Sequence, residues 1–247
     1  MSAYEALAGV YDTLTGDVGY ERRADYLEKL FQKSRIPVHT VLDLACGTGH
    51  MTSVLTERGY ELIGVDQSPD MLAAARENTA GISGVPPVLI CQSMPALDLY
   101  GTVDAAVCCL DSLNYLTSPK DVLKTFQRLH LFIAPGGVLI FDIVTPGYLS
   151  GLDGQVFLDE TKDIMCVWRA SFEKRSHICT YWMDIFTHCA GGLWNRAGEE
   201  HRQRAYEVEE LRGWLLEAGF KRIRTYGDCR MSGPKETEQR IYFSALR

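Results

Sequence analysis

The sequence carries no surplus of positive charge: 25 Lys and Arg stand against 32 Asp and Glu, a formal net charge of −7. Without an overall basic field, a general electrostatic attraction to nucleic acid or to an anionic lipid surface is not expected, although a local basic groove is still allowed. No apolar run approaches the roughly 18 residues of a membrane span, and MSAYEALAGVYD at the start lacks the cationic stretch and apolar core of a signal peptide. The eight cysteines form no C-x-x-C pair; Cys108 and Cys109 are adjacent and the others are scattered. Reduced thiols buried in strands are therefore expected in place of zinc ligands, with no metal site and a cytoplasmic location. Repeats, low-complexity stretches and long linkers are also missing.

What is present is a chain of 247 residues with 46% hydrophobic content, enough for one large α/β domain with a full core. Residues 40–46, 61–66, 87–92, 104–110 and 137–144 are nearly continuous in Val, Ile, Leu and Cys, as strands covered on both faces should be. Between them SPDMLAAAREN opens with Ser68 as N-cap and Pro69 as first helical residue, and SPKDVLKTFQRLH repeats the device with Ser118 and Pro119. Alternation of these strands and helices predicts a doubly wound, mostly parallel sheet. Near the end, Leu211, Trp214, Leu215 and Ala218 form one helical stripe that Gly219 stops, and two further strands follow as an antiparallel pair. Residues 147–206 have little helical periodicity; 164–172, 178–189 and 199–206 read as added strands. The expected organisation is a single domain over 1–247, with an N-terminal helical lid over 1–35 and an embedded β-rich cap over 147–206.

The stretch VLDLACGTGHMTSVLTERGYELIGVDQSP, residues 41–69, places Asp43, Gly47 and Gly49 at the first βα turn, where such sheets bind ligands. A dinucleotide fingerprint wants a third glycine, and Thr52 stands there. A phosphate loop wants a Lys after its glycines, and none follows. An acid flanks the glycines on either side, Asp43 before them and Asp66 at the end of the second strand. That suits a nucleoside-like ligand without phosphate: the glycines let backbone approach it closely, Asp66 accepts both ribose hydroxyls, and Asp43 lies near a positive amino group. The plainer alternative is that both acids merely terminate strands.

With these residues the sequence resembles the class I S-adenosylmethionine-dependent methyltransferases. VLDLACGTGH looks like the family's first motif, GVDQSPDML its second, VDAAVCCLDSLNYL its fourth strand and following loop, and LFIAPGGVLIFDI the turn into the fifth strand. The resemblance implies a Rossmann-like, seven-stranded methyltransferase fold and S-adenosylmethionine as cofactor. It implies a cofactor set of Asp43, Ala45, Cys46, Gly47, Gly49, Asp66, Gln67, Met71, Ser93, Met94 and Leu110. Ser93 stands where the family has an Asp that contacts the adenine amino group, so either the Ser93 hydroxyl or the Met94 backbone takes that role. YEALAGVYDTLTGDVGYERRADYL is similar to the lid of bacterial small-molecule N-methyltransferases, which implies that Tyr11 and Tyr20 close over the reacting centre; Arg23 stands where an aromatic residue would be expected.

Methyl transfer needs alignment first and proton management second. At the end of the fourth strand Asp111, Asn114 and Tyr115 are candidates to contact substrate, the alternative being that Asp111 or Ser112 only caps a turn. That loop is not N-P-P-[YF], which argues against adenine and glutamine acceptors. In 178–189, Cys179, Tyr181, Met183 and Ile185 share one side; Thr180, Trp182, Asp184, Phe186 and His188 share the other, whose aromatic and polar mix suits a pocket wall, an interface or a solvated face. In 199–206, His201 is the candidate general base and Arg204 the candidate anchor for an anionic substrate group. The reading is a methyltransferase for a small molecule, above all an amine, with a homodimer admitted and nucleic acid and membrane not expected as partners. An RNA or protein acceptor, a non-catalytic cofactor-binding protein and a dehydrogenase are the alternatives.

Overall fold

The structure, a computed structural model, describes residues 7, 9–14, 16 and 18–247. Along the chain the helices are α1 (Tyr11–Leu14), α2 (Tyr20–Phe31), α3 (His50–Glu57), α4 (Pro69–Asn78), α5 (Pro119–Phe132), α6 (Pro146–Gly151) and α7 (Val208–Glu217). The strands are β1 (Thr40–Leu44), β2 (Glu61–Asp66), β3 (Val88–Cys91), β4 (Val103–Cys108), β5 (Ile133–Val144), β6 (Val156–Glu160), β7 (Ile164–Glu173), β8 (Ile178–Cys189), β9 (Leu193–Arg204), β10 (Lys221–Gly227) and β11 (Arg240–Leu246). None of the helices among the described residues is long and apolar enough to cross a membrane.

β1 shows why the inner strands are apolar on both sides. Val41 packs with Leu27 and Leu30 of α2 and Leu55 of α3, whereas Leu42 and Leu44 pack with Phe126 and Leu129 of α5. One period-two strand thus feeds two cores, and each residue has a helix to meet. The main sheet runs β10-β11-β5-β4-β1-β2-β3. β1 to β5 are parallel, and β11 is antiparallel to both β5 and β10. The order reverses beside β1, which leaves a crevice at the carboxyl ends of β1 and β4.

The helix starts follow from the local sequence. The Ser68 hydroxyl accepts the Met71 N–H at 3.3 Å with Pro69 at the first turn of α4. Pro119 likewise opens α5, without a side-chain bond from Ser118. β5 starts earlier than its apolar run, at Ile133; at Gly137 a Cβ would lie 2.4 Å from the Asp104 carbonyl oxygen, so only glycine lets β5 pass β4 there.

Between α6 and α7 a second sheet is inserted, four antiparallel strands in the order β6-β7-β8-β9. It has one strand more than the sequence predicts: β6 is an edge strand with Val156 and Leu158 exposed, so no buried alternation marks it. Its inner face carries Cys166, Ala170, Cys179, Tyr181 and Ile185, all buried. Leu7, Val10, Tyr11 and Leu14 pack on Cys166 and Ile185, so the N-terminal segment lies against this sheet.

Candidate active site

The first βα turn is built on left-handed backbone. Ala45 (φ 61°), Gly47 (φ 54°) and Gly49 (φ 78°) bring the chain from β1 into α3 in a few residues. The two glycines have different tasks. A Cβ at Gly47 would meet no protein atom within 4 Å, so it would take up space on the cleft side that the protein leaves open. A Cβ at Gly49 would lie 3.0 Å from the Ala75 Cβ and 3.2 Å from its Cα. Gly49 therefore serves the packing of the turn on α4 and does not line the cleft.

Asp66 braces this turn from the neighbouring strand. Its Oδ2 accepts the Gly47 N–H at 2.9 Å and its Oδ1 accepts the Ser68 N–H at 2.8 Å. Burial raises its pKa, while the backbone donors of Ser68, Gly47 and Gln67 work against that rise. Asp43 is wholly buried at the other side of the turn and accepts the Thr52 hydroxyl at 2.6 Å. Burial lifts it from 3.8 to about 6 against the opposing effect of that bond. Thr52, which breaks the dinucleotide pattern, is the residue that fixes Asp43.

Around these acids a cleft of about 1040 Å³, counted out to its open mouth, follows the carboxyl ends of β1, β2 and β4. Of the sequence-derived cofactor set, Asp43, Ala45, Cys46, Gly47, Asp66, Gln67, Met71, Met94 and Leu110 line it. Ser93 does not; Gln92, one position earlier, does. The Gln92 N–H continues the strand pairing to the Asp66 carbonyl at 3.0 Å, and its amide is held by the Asp98 backbone. Thr48, Met51, Val65, Cys109, Ser112 and Leu116 also line the cleft without having been singled out. Most of these flank motif residues by one position, which is the signal that would have found them. Burial keeps Cys46 and Cys109 as thiols, well above the ordinary cysteine range.

Tyr11, Tyr20 and Tyr115 line the same cleft and bring aromatic faces to it. Burial, reinforced by Tyr20 and Asp111, holds the Tyr11 phenol protonated far above its usual pKa. α1 is tied to the glycine turn by Asp12, which accepts the Thr48 hydroxyl at 2.6 Å and the Asn78 amide at 2.9 Å.

The remaining candidates are placed elsewhere. Asp111 lies behind the cleft wall: Leu110 (φ 58°) and Asp111 (φ 53°) are consecutive left-handed residues whose N–H groups donate to the Asp142 carboxylate at 2.9 and 2.8 Å. Arg240 donates to Asp111 at 2.6 Å and also to Asp142, and Gln203 donates to Asp111 at 2.5 Å. Asn114 is fully buried and joins three elements. Its amide donates to the carbonyls of Arg204 at 2.9 Å and Val144 at 3.3 Å and accepts the Val144 N–H at 3.1 Å. Those bonds make it a latch in place of a substrate contact. His201 is 2% exposed, with Nε2 2.7 Å from Glu199 Oε2, and packs edge-on against the Tyr115 ring; it stands behind the wall and does not line the cleft. Arg204 turns to Glu210, 3.6 Å away, and over the Tyr206 ring, away from any acceptor anion in the cleft. On β8 the polar and aromatic face turns outward, where Asp184 pairs with Arg169 and Arg196 and Trp182 is exposed. The face that meets the site is the other one, through Tyr181, whose hydroxyl donates to Gln203 at 2.9 Å.

The donor set fits a nucleoside sulfonium. Its charged lining groups among the described residues are the carboxylates Asp43 and Asp66; no Lys, Arg or His is among them. A pyrophosphate would meet repulsion there, whereas an ammonium and a sulfonium meet attraction. Met71, Met94, Val65 and Leu116 supply apolar contacts for a flat ring, and Gly47 leaves the space a Cβ would fill.

Comparison with known proteins agrees. Residues 41–137 match the family model described as a methyltransferase domain. The chain is 33% identical over 247 residues to YqeM of Bacillus subtilis, designated a methyltransferase, covering 99% of this chain and 97% of that one. The crystal structure of an S-adenosylmethionine-dependent methyltransferase from Clostridium acetobutylicum superposes with a TM-score of 0.87 at 28% identity, covering 99% of both chains. A glycine/sarcosine/dimethylglycine N-methyltransferase from Actinopolyspora halophila is 26% identical, covering 91% of this chain and 39% of its own longer one.

Proposed function

The chain belongs to the class I S-adenosylmethionine-dependent methyltransferases, and from that premise we propose that its methyl acceptor is an amine nitrogen of a small molecule. The observation that carries this reading is the lining of the cleft, where two carboxylates and three tyrosines meet with no cationic side chain among the described residues. Such a surface attracts a cation and disfavours the phosphates of a nucleic acid. The similarity to an N-methyltransferase over most of the chain supports the choice of nitrogen.

Asp66 would hold the ribose hydroxyls, Asp43 the amino group, and Met71 and Met94 the base, with Gln92 in the position expected of Ser93. When bound, S-adenosylmethionine would supply a methyl carbon activated by a sulfonium, whose sulfur can depart with the bonding pair as a neutral thioether. The protein's own part is alignment. Ala45, Gly47 and Leu110 set backbone around the reacting centre, and Tyr11, Tyr20 and Tyr115 present rings and hydroxyls to the acceptor. The Tyr11 phenol stays protonated, so it orients by hydrogen bonding and takes no proton. An amine sheds its proton to solvent before attack, so no general base is required of His201.

Two measurements test the reading. Asp66→Ala should weaken S-adenosylmethionine binding at least tenfold by calorimetry, with NAD silent on the unaltered protein; unchanged affinity removes Asp66 from the ribose. A panel of small amines assayed for S-adenosylhomocysteine release should contain acceptors, whereas turnover with RNA or protein alone would replace the small-molecule reading.

A further inference from the structure

Resting on the amine reading above, we infer that the acceptor is an amine without a carboxylate, and that this chain discriminates against amino acids by charge. The cleft lining offers two carboxylates, Asp43 and Asp66, and among the described residues no Lys, Arg or His. None of positions 1–6, 8, 15 and 17 is Lys, Arg or His either.

The basic side chains that the fold brings behind the cleft wall each face an acidic group, although the buried Arg204 Nε has no hydrogen-bond partner among the described residues. Arg240 donates to both Asp111 and Asp142. Arg23 donates to the Tyr242 hydroxyl at 2.7 Å and stands 3.4 Å from Asp228. Arg204 faces Glu210, His201 lies 2.7 Å from Glu199, and His50 lies 3.1 Å from Asp12. Withdrawing Arg240 or His201 to meet a substrate anion would strand a buried carboxylate, Asp142 or Glu199, whereas the carboxylates that face Arg23, Arg204 and His50 are partly exposed.

An amine attacks through its lone pair, so the reacting form of an amino acid is a neutral amine with a carboxylate, a net anion. In this cleft that anion finds two protein carboxylates, Asp43 and Asp66, which together exceed the single net positive charge of a bound cofactor, and no cationic side chain among the described lining residues to pair with its own carboxylate. The cofactor is not excluded by the same rule, because its ammonium and sulfonium outweigh its one carboxylate. An amine lacking the carboxylate reacts as a neutral molecule and arrives as a cation, and tyrosine rings attract that arriving form. The substrate class is therefore an amine whose other groups are hydroxyl, amide or hydrocarbon.

The test uses the full chain saturated with S-adenosylhomocysteine and titrated calorimetrically with matched probes: glycinamide against glycine, β-alaninamide against β-alanine, and glucosamine against glucosaminic acid. At least one uncharged-end member should bind, each such member at least tenfold tighter than its carboxylate twin. Ser112→Arg, which places a cation in the lining, should narrow that ratio by about tenfold through tighter binding of the carboxylate twin. Amino acids binding as tightly as their amides overturn the charge rule and leave the amine reading standing. Binding of S-adenosylhomocysteine without any amine, charged or not, brings down both.

Discussion

Asp43 and Thr52 are nine positions apart and face each other inside the first βα unit, one on the strand and one on the helix. Because Asp43 titrates near 6 in the folded chain and near 3.8 when unfolded, the folded protein holds a proton between those values that the unfolded chain has lost. Its contribution to stability therefore falls as pH rises from about 4 to about 6, by on the order of 3 kcal/mol in all. Denaturant melts across that window should show the slope, and Asp43→Asn should abolish it. The ionised carboxylate is the form that attracts the cofactor's ammonium, so affinity should run oppositely, rising through pH 6 in calorimetric titrations. The acid and its glycines could be read from the sequence because strand end, turn and helix start are neighbours in the chain. Gln92 could not be told from Ser93, since which of the two residues after β3 faces the cleft depends on how the chain leaves its pairing with β2. Asn114 and His201 are polar residues whose partners lie on other elements or inside a buried sheet face, a fact that no local pattern encodes.

The turn after β4 is an element whose shape is imposed by its surroundings. A non-glycine residue in left-handed backbone costs about 1–2 kcal/mol, and here two follow one another. Asp142 offsets that cost by accepting both N–H groups, and Arg240 neutralises the carboxylate so that it can remain fully buried. Asp142→Ala should lower stability by about 3–5 kcal/mol in denaturant titration, because it leaves Arg240 without one partner and two amides without an acceptor. Asp142→Asn, which keeps an acceptor, should lose less. The fourth strand and the existence of this loop were legible in the apolar run, but the turn's geometry was not, since Asp142 and Arg240 come from strands formed much later in the chain. The cap sheet shows the same division. Its alternation was plain in 178–189, yet which side faced inward was decided by Ile185 packing under the N-terminal segment and Tyr181 packing with Val144 and Leu149, with Trp182 and Asp184 left outside.

Across the whole molecule, the N-terminal segment joins the two sheets. The Leu7 N–H donates to Glu199 on β9 at 2.7 Å, and Asp12 binds Thr48 and Asn78 on the main-sheet side. Glu199→Ala removes the first tie and should raise protease cutting before α2 at least tenfold. S-adenosylhomocysteine should restore protection by filling the cleft beneath Tyr11 and Tyr20. The seven-stranded order was predictable from alternating strands and helices, whereas this bridge, spanning 192 positions, was not.

The cleft wall is tyrosine without tryptophan, and the indoles lie elsewhere: Trp168, Trp182 and Trp194 in the cap sheet and Trp214 on α7. Trp168 stacks on Phe157 at 4.1 Å and lies 5.7 Å from Tyr181, which reaches Asp111 through Gln203. The molecule thus carries a built-in optical reporter in its cap sheet, linked to the loop after β4, and no tryptophan among the described residues that line the cleft. Ultraviolet emission should stay almost level as cofactor is added and change colour when an acceptor follows, so the order in which the two arrive can be watched without a label.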